Sequence, residues 1–327
     1  MNLSREYLER CAADSGYQLA PLEKVIRLGE FAANAGRHPL LRDTLALKGG
    51  TALNLCFGAP KRLSVDLDFN YIGHVDRGKM LESRPSVEEA IAGLSARLGY
   101  KAQKSAEAFA GRKFFLHYQS VLGQPDRIEV DVNYLFRAPI AGTERREIWQ
   151  PGELDRPTAL LVSLEEILIG KLLAFFDRCA PRDLWDLARL SEPAVEAMKS
   201  ELFRPRFIAF SAILDHPLST YGRGRLEGLV TDRTVAEQLA PMLIASEKPQ
   251  RTALLNDAWA VVERYLTPEP GEEAYLAAIG RGELVLEALF SDVPEEAHRL
   301  SGHPAILWKL SNVRGYLAKK GKKSSPA

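Results

Sequence analysis

Residues 64–73 read SVDLDFNYIG, and this run constrains the fold more than any other. Val65, Leu67 and Phe69 alternate with Asp66 and Asp68, the period of a strand buried on one side. Residues i and i+2 of a strand share a face, roughly 6.6 Å apart. Both carboxylates therefore point the same way, and they repel unless solvent or a cation neutralises them. Just upstream, TLAL suits a short strand, Gly49 and Gly50 a tight turn, and TALNLCFG a short helix ending at Gly58, with Pro60 confirming the break. Glycines between a strand and a helix let backbone N–H groups approach an anion, and the helix terminus adds partial positive charge. The same glycine pair also serves ordinary structural turns.

The remaining elements follow from periodicity. Residues 3–36 carry apolar side chains at helical spacing and predict a helix, interrupted by Pro39. A second helix is expected over about 87–98, and strands over 113–120 and 127–136, joined by a hairpin-type connection at 123–126. Residues 137–157, with three prolines and two glycines, read as a loop. Ser163 and Glu166 form an S-x-x-E capping box before ILIGKLLAFF. From there to Leu317 the pattern is helical. The basic end, AKKGKKSSPA, reads as a solvated, frayed tail. The expected fold is α/β: a mixed sheet flanked by helices over 1–160, followed by a helical domain over 161–327, with a cleft between them.

Composition narrows the class. The chain has 327 residues, 43 basic and 43 acidic side chains, and 46% apolar residues, which is ordinary globular usage. No apolar run approaches the roughly 18 residues of a membrane span, and the charged N-terminus does not resemble a signal peptide. Cys11, Cys56 and Cys179 fit neither a disulfide framework nor a zinc spacing, and six histidines show no paired metal spacing. These features predict a cytoplasmic protein without membrane contact. Zero net charge predicts no global attraction to nucleic acid but allows a local basic groove, for which Arg145, Arg146, Arg204, Arg206, Arg223 and Arg225 are candidates.

The chemistry-bearing residues cluster along the chain. Glu129 and Asp131 lie on a later strand, and a carboxylate from either would join Asp66 and Asp68 in an oxygen-ligand site for Mg²⁺ or Mn²⁺. Such a site can activate an attacking oxygen and stabilise leaving pyrophosphate. Lys171 and Arg178 are seven residues apart on one helix face with Ala174 between them, an arrangement suited to a triphosphate. Asp183 is a candidate cap for the helix starting near Pro181.

Taken together, Gly-Gly before a short helix, D-x-D on the next strand and an acid on a later strand resemble the nucleotidyltransferase fold of the polymerase-β superfamily. The stretches LKGGTALNL and RLSVDLDFN resemble more closely the AbiEii/AbiGii toxin family, which includes the MenT toxins. KLLAFFDRCAPRDLWDL and HPAILWKLSNVRGYL extend the resemblance to about residue 317. The resemblance implies transfer of a nucleoside monophosphate from an NTP, pyrimidine NTPs among the candidates. Asp66, Asp68 and Asp131 (or Glu129) would hold Mg²⁺, and Asp131 would aid deprotonation of the acceptor. Lys48, Gly49, Gly50, Thr51 and Ser64 would cradle phosphates, Lys171 and Arg178 would bind the triphosphate, and Asp186 would sit near the site as a functional acid. It further implies the tRNA 3′ end as acceptor, a growth-inhibiting role in phage defence, and a separately encoded antitoxin, for which a winged-helix protein is a candidate. A small-molecule or protein acceptor, and a non-catalytic nucleotide-binding module, are the competing readings.

Overall fold

The computed structural model describes residues 3–108 and 110–323. All seven of its strands precede residue 163: β1 (Leu45–Lys48), β2 (Asp66–Tyr71), β3 (Lys101–Lys104), β4 (Gly111–Gln119), β5 (Pro125–Asn133), β6 (Thr143–Glu147) and β7 (Thr158–Val162). They form one mixed sheet in the order β3-β4-β5-β2-β1-β7-β6. β2 runs parallel to β5, and β1 parallel to β7; the other neighbours are antiparallel.

Strict alternation gives the sheet two unlike faces. Leu67, Phe69, Phe114, Leu116, Ile128, Val130 and Val132 are buried in one core cluster. The helices α1 (Arg5–Ser15), α2 (Leu19–Arg37) and α5 (Arg77–Arg97) contribute to that cluster through residues such as Leu8, Phe31 and Ile91. Asp66, Asp68, Asn70, Glu129 and Asp131 take the opposite parity on β2 and β5. Toward that face turn α4 (Gly49–Leu55), α6 (Leu164–Arg178) and α7 (Pro181–Ala188). α6 bridges two cores: Ile167 belongs to the sheet cluster, while Leu168, Leu172, Phe175 and Phe176 join a second cluster built from the helices between Glu192 and Lys323.

Several boundaries depart from expectation. The helix expected over 3–36 is two helices, because Gly16 takes φ +75°, a left-handed cap whose N–H bonds Ala12 O. The helix expected to begin near residue 87 begins at Arg77, capped by Asp76 accepting from Lys79 N (2.9 Å), and runs through Pro85. Its first turns carry few apolar residues, so periodicity does not reveal them. The region read as a loop, 137–157, contains β6. β3 and β6 are the two sheet edges, and their sequences, KAQK and TERRE, are polar on both faces. Charged edge strands discourage further pairing and hide from hydrophobic patterning for the same reason. The basic tail is helical through Lys323, and the rest of it lies outside the described residues. Among the described residues no helix is long and apolar enough to cross a membrane.

Candidate active site

Strand register assembles the site. Lys48 of β1 stands opposite Asp68 of β2, and Asp68 beside Asp131 of β5. One step away, Asp66 neighbours Glu129. The row Lys48–Asp68–Asp131 opens onto a cleft of about 520 Å³ whose far wall is α6, through Glu166, Gly170, Lys171, Ala174 and Arg178. Gly49 and Gly50 also line it.

Gly49 is needed for more than a turn. Its φ is +72°, and a Cβ there would lie 2.5 Å from Asp68 Oδ2. The glycine thus lets the backbone start α4 against the carboxylate, a close approach no other residue permits. A Cβ on Gly50 would likewise lie 2.9 Å from Ser64 Oγ. Ser64 is buried behind that turn and Thr51 is fully buried, its hydroxyl donating to the Asp66 carbonyl. Neither is among the residues lining the cleft; the Thr51 hydroxyl ties the turn to β2 from behind.

The two candidate acids on β5 differ in partners. Glu129 accepts from Lys113 Nζ (3.0 Å) and pairs with Arg127 (3.0 Å). Burial pushes its carboxyl up, but these cations outweigh burial and hold it below the usual range. Asp131 lies 4.0 Å from Lys113 and directly beside Asp68. Burial, followed by Asp68, pushes its carboxyl up. Asp131 lines the cleft and Glu129 does not. Asp66 lies outside the lining, 3.7 Å from Arg182 Nη1, with its carboxyl raised chiefly by burial.

Lys171 and Arg178 reach the cleft as parts of a network. Asp186 is fully buried and accepts a bidentate pair from Arg62, Nε to Oδ1 and Nη2 to Oδ2, each 2.7 Å. Lys171 Nζ stands 2.7 Å from Asp186 Oδ2 and 3.0 Å from Asp183 Oδ1. Arg178 Nε closes the chain 2.9 Å from Asp183 Oδ2. Burial opposes ionisation of both aspartates, but the flanking cations outweigh it and hold them below the usual range. Asn54 of α4 donates to Asp186 as well (3.0 Å), so the network fastens α6 and α7 to the helix that follows the glycines. Asp186 accordingly sits beneath the cleft, away from its lining. Asp183 does not cap its helix; its carboxylate is committed to Lys171 and Arg178.

Sequence reasoning missed Arg62, Asn70 and Glu166. Ser163 caps α6 by accepting from Glu166 N (3.2 Å), but the reciprocal half of the expected capping box is absent. The Glu166 side chain turns inward instead, accepting from Asn70 Nδ2 (3.0 Å) and Ile140 N (2.6 Å). Burial pushes its carboxyl up to about 7. Spacing alone favours the cap. Asn70, two residues beyond Asp68, was the available signal for a third polar group on the same face.

A mixed sheet presenting paired acids to a cleft, behind a glycine turn and opposite Lys171 and Arg178 of α6, is the arrangement of a nucleotidyltransferase. The family profile described as nucleotidyl transferase AbiEii toxin, type IV toxin–antitoxin system, matches residues 35–264, and the chain belongs to that family. Membership implies a separate antitoxin. Among solved structures, MenT4, a nucleotidyltransferase toxin from Mycobacterium tuberculosis H37Rv, superposes with a TM-score of 0.57 at 18% identity, covering 92% of this chain and 99% of that one. JHP933 from Helicobacter pylori gives a TM-score of 0.44 at 18% identity over 75% of this chain and 91% of that one. No curated protein matches significantly in sequence.

Proposed function

We propose that this toxin transfers a nucleoside monophosphate from an NTP to the 3′ end of tRNA, which blocks aminoacylation. The observation that carries the reading is the row Lys48–Asp68–Asp131, aligned by register and open to the cleft. The acceptor oxygen forms a bond to the α-phosphorus, the bond to the β-phosphate bridging oxygen breaks, and pyrophosphate leaves. Asp131, beside Asp68 and lining the cleft, takes the hydroxyl proton. Lys48, Gly49 and Gly50 hold phosphate oxygens. The five-residue network has three cations and two carboxylates, a net charge of +1, so Lys171 and Arg178 present a residual positive field to the triphosphate.

The donor set fits Mg²⁺. The cleft acids are hard oxygen donors, and Asp66 and Asp131 have carboxyls pushed up by burial and by neighbouring acids, a cost that a cation relieves. Among the described residues no three acids converge as a closed cage. An ion there would be held by Asp68 and Asp131, with Asp66 at the margin, and would be completed by substrate phosphates and water. When bound, Mg²⁺ supplies charge stabilisation for the transferring phosphoryl group. The tRNA acceptor rests on the resemblance to the MenT toxins, and with it a cytoplasmic, growth-inhibiting role in phage defence.

The test incubates purified protein with Mg²⁺, total tRNA and each α-labelled NTP in turn, beside Asp68→Ala. Label on tRNA from one NTP, lost in the variant and without Mg²⁺, is the expected result. Label on protein or a small molecule keeps the chemistry and discards the acceptor. NTP binding without transfer to anything discards the enzyme reading.

A further inference from the structure

The Asn70–Glu166 pair lies in the cleft but has no part in the transfer described above. Asn70 is 2% exposed, and its Oδ1 has no hydrogen-bond partner among the described residues. Glu166 determines which way that amide points. Ionised, as at pH 8, the Glu166 carboxylate only accepts, so the Asn70 NH₂ faces it and Oδ1 is left as the free end. The second Glu166 oxygen is held by Ile140 N. The arrangement is a rigid acceptor, buried and lining the cleft beside Phe136 and Ile140.

Two spacings say which part of a nucleotide meets it. Along β2, Asn70 is the next residue after Asp68 on the same face, about 6.7 Å away. That is roughly one α-phosphate-to-ribose span. Along α6, Glu166 and Arg178 stand twelve residues apart, about 18 Å. Lys171 and Arg178 draw a polyphosphate toward their end of α6, where Asp177 also lines the cleft, while Glu166 stands at the other end, so the nucleoside points toward Asn70. Ribose hydroxyls supply O–H donors where the protein offers an unpaired acceptor.

We propose that Asn70, oriented by Glu166, accepts a hydrogen bond from the ribose hydroxyls of the bound NTP and makes this cleft selective for ribonucleotides. The inference rests on the transfer reaction proposed above and deepens its substrate class. Asn70 touches the substrate, and Glu166 is a positioning residue.

The test compares kcat/KM for each active NTP and its 2′-deoxy and 3′-deoxy counterparts, at pH 8, using wild type, Asn70→Ala and Glu166→Gln. A glutamine at 166 can donate to the amide and turn Asn70 Oδ1 away. Wild type should favour the ribonucleotide by about tenfold or more, the yield of one well-made hydrogen bond. Both variants should bring that ratio close to one. Equal use of NTP and deoxy-NTPs by wild type overturns the proposal. So does a preserved ratio in the variants with all rates falling together, the mark of a structural role. Thermal melting confirms that each variant is folded, and the wild-type ratio stands as a test even if neither is. If no acceptor is labelled, equilibrium binding of NTP against deoxy-NTP gives the same comparison, so the transfer reading and this one fail separately. Binding of neither overturns both.

Discussion

Asp186→Asn is the substitution whose outcome the structure specifies most closely. Asp186 is fully buried and sits within 2.7 Å of two cations, Arg62 and Lys171, which are themselves 2% and 5% exposed. Neutralising it leaves Arg62, Lys171 and Arg178 facing Asp183 alone, so the net charge of the network rises from +1 to +2, and that of its buried members from 0 to +1. Breaking a buried pair by removing one partner costs about 3–5 kcal/mol, because the other charge stays desolvated and uncompensated. At about 2 °C per kcal/mol for a chain of this size, Tm should fall by about 6–10 °C. The control is Arg62→Met with Asp186→Leu. It removes one charge of each sign, restores the net charge of +1 and leaves Lys171–Asp183–Arg178 intact. It should recover at least half of the lost stability, measured by circular dichroism melts and urea titration. A wild-type Tm in Asp186→Asn, together with lost nucleotide transfer, would refute the reasoning and make Asp186 a catalytic acid instead. A double variant no more stable than the single would refute the charge account of the loss.

Three further outcomes follow from the site. Gly49→Ala forces a Cβ to within 2.5 Å of Asp68 Oδ2 at φ +72°, so it should cost about 1–3 kcal/mol and reduce transfer at least about a hundredfold; an active, equally stable variant would contradict the close approach. Asp131→Asn relieves repulsion with Asp68, so transfer should fall at least about a hundredfold while Tm holds or rises; a lower Tm would mean that Asp131 is structural. Glu166 has a folded value of about 7, above its ordinary 4.5, so between those pH values the folded state holds the extra proton and stability falls as pH rises. Glu166→Gln removes that slope, and urea titrations at pH 4.5 and 8 should show the difference in stability moving in the variant's favour by up to about 3 kcal/mol; an unchanged difference would contradict the buried carboxyl.

The strand that carries Asp66 and Asp68 was legible because its charge and its burial share one period. Leu67 and Phe69 enter the core, so Asp66 and Asp68 have no choice of face. The glycine pair was legible for its turn, though its tightest constraint, the Asp68 carboxylate at Gly49, depends on a neighbour nineteen residues away. Edge strands β3 and β6 were illegible because edges carry charge on both faces. The capping box at Ser163 was half right: the local hydrogen bond formed, but Glu166 found better partners in Asn70 and Ile140. Local rules describe what a side chain can reach within its own turn and say nothing of what the fold brings to it.

Glu129 and Asp131 show the same division. By itself the sequence determined that an acid of β5 accompanies Asp66 and Asp68, and that Lys171 and Arg178 share one face of α6. Only the tertiary structure distinguished the surroundings of the two acids. Strand register set Asp131 beside Asp68, while Lys113 and Arg127 drew Glu129 into ion pairs. Only the structure, too, made Asp186 a buried anchor, since its partner Arg62 lies 124 positions away. Periodicity is a property of neighbouring residues and survives in sequence. Register and long-range pairing depend on how the chain closes on itself, and packing alone decides them.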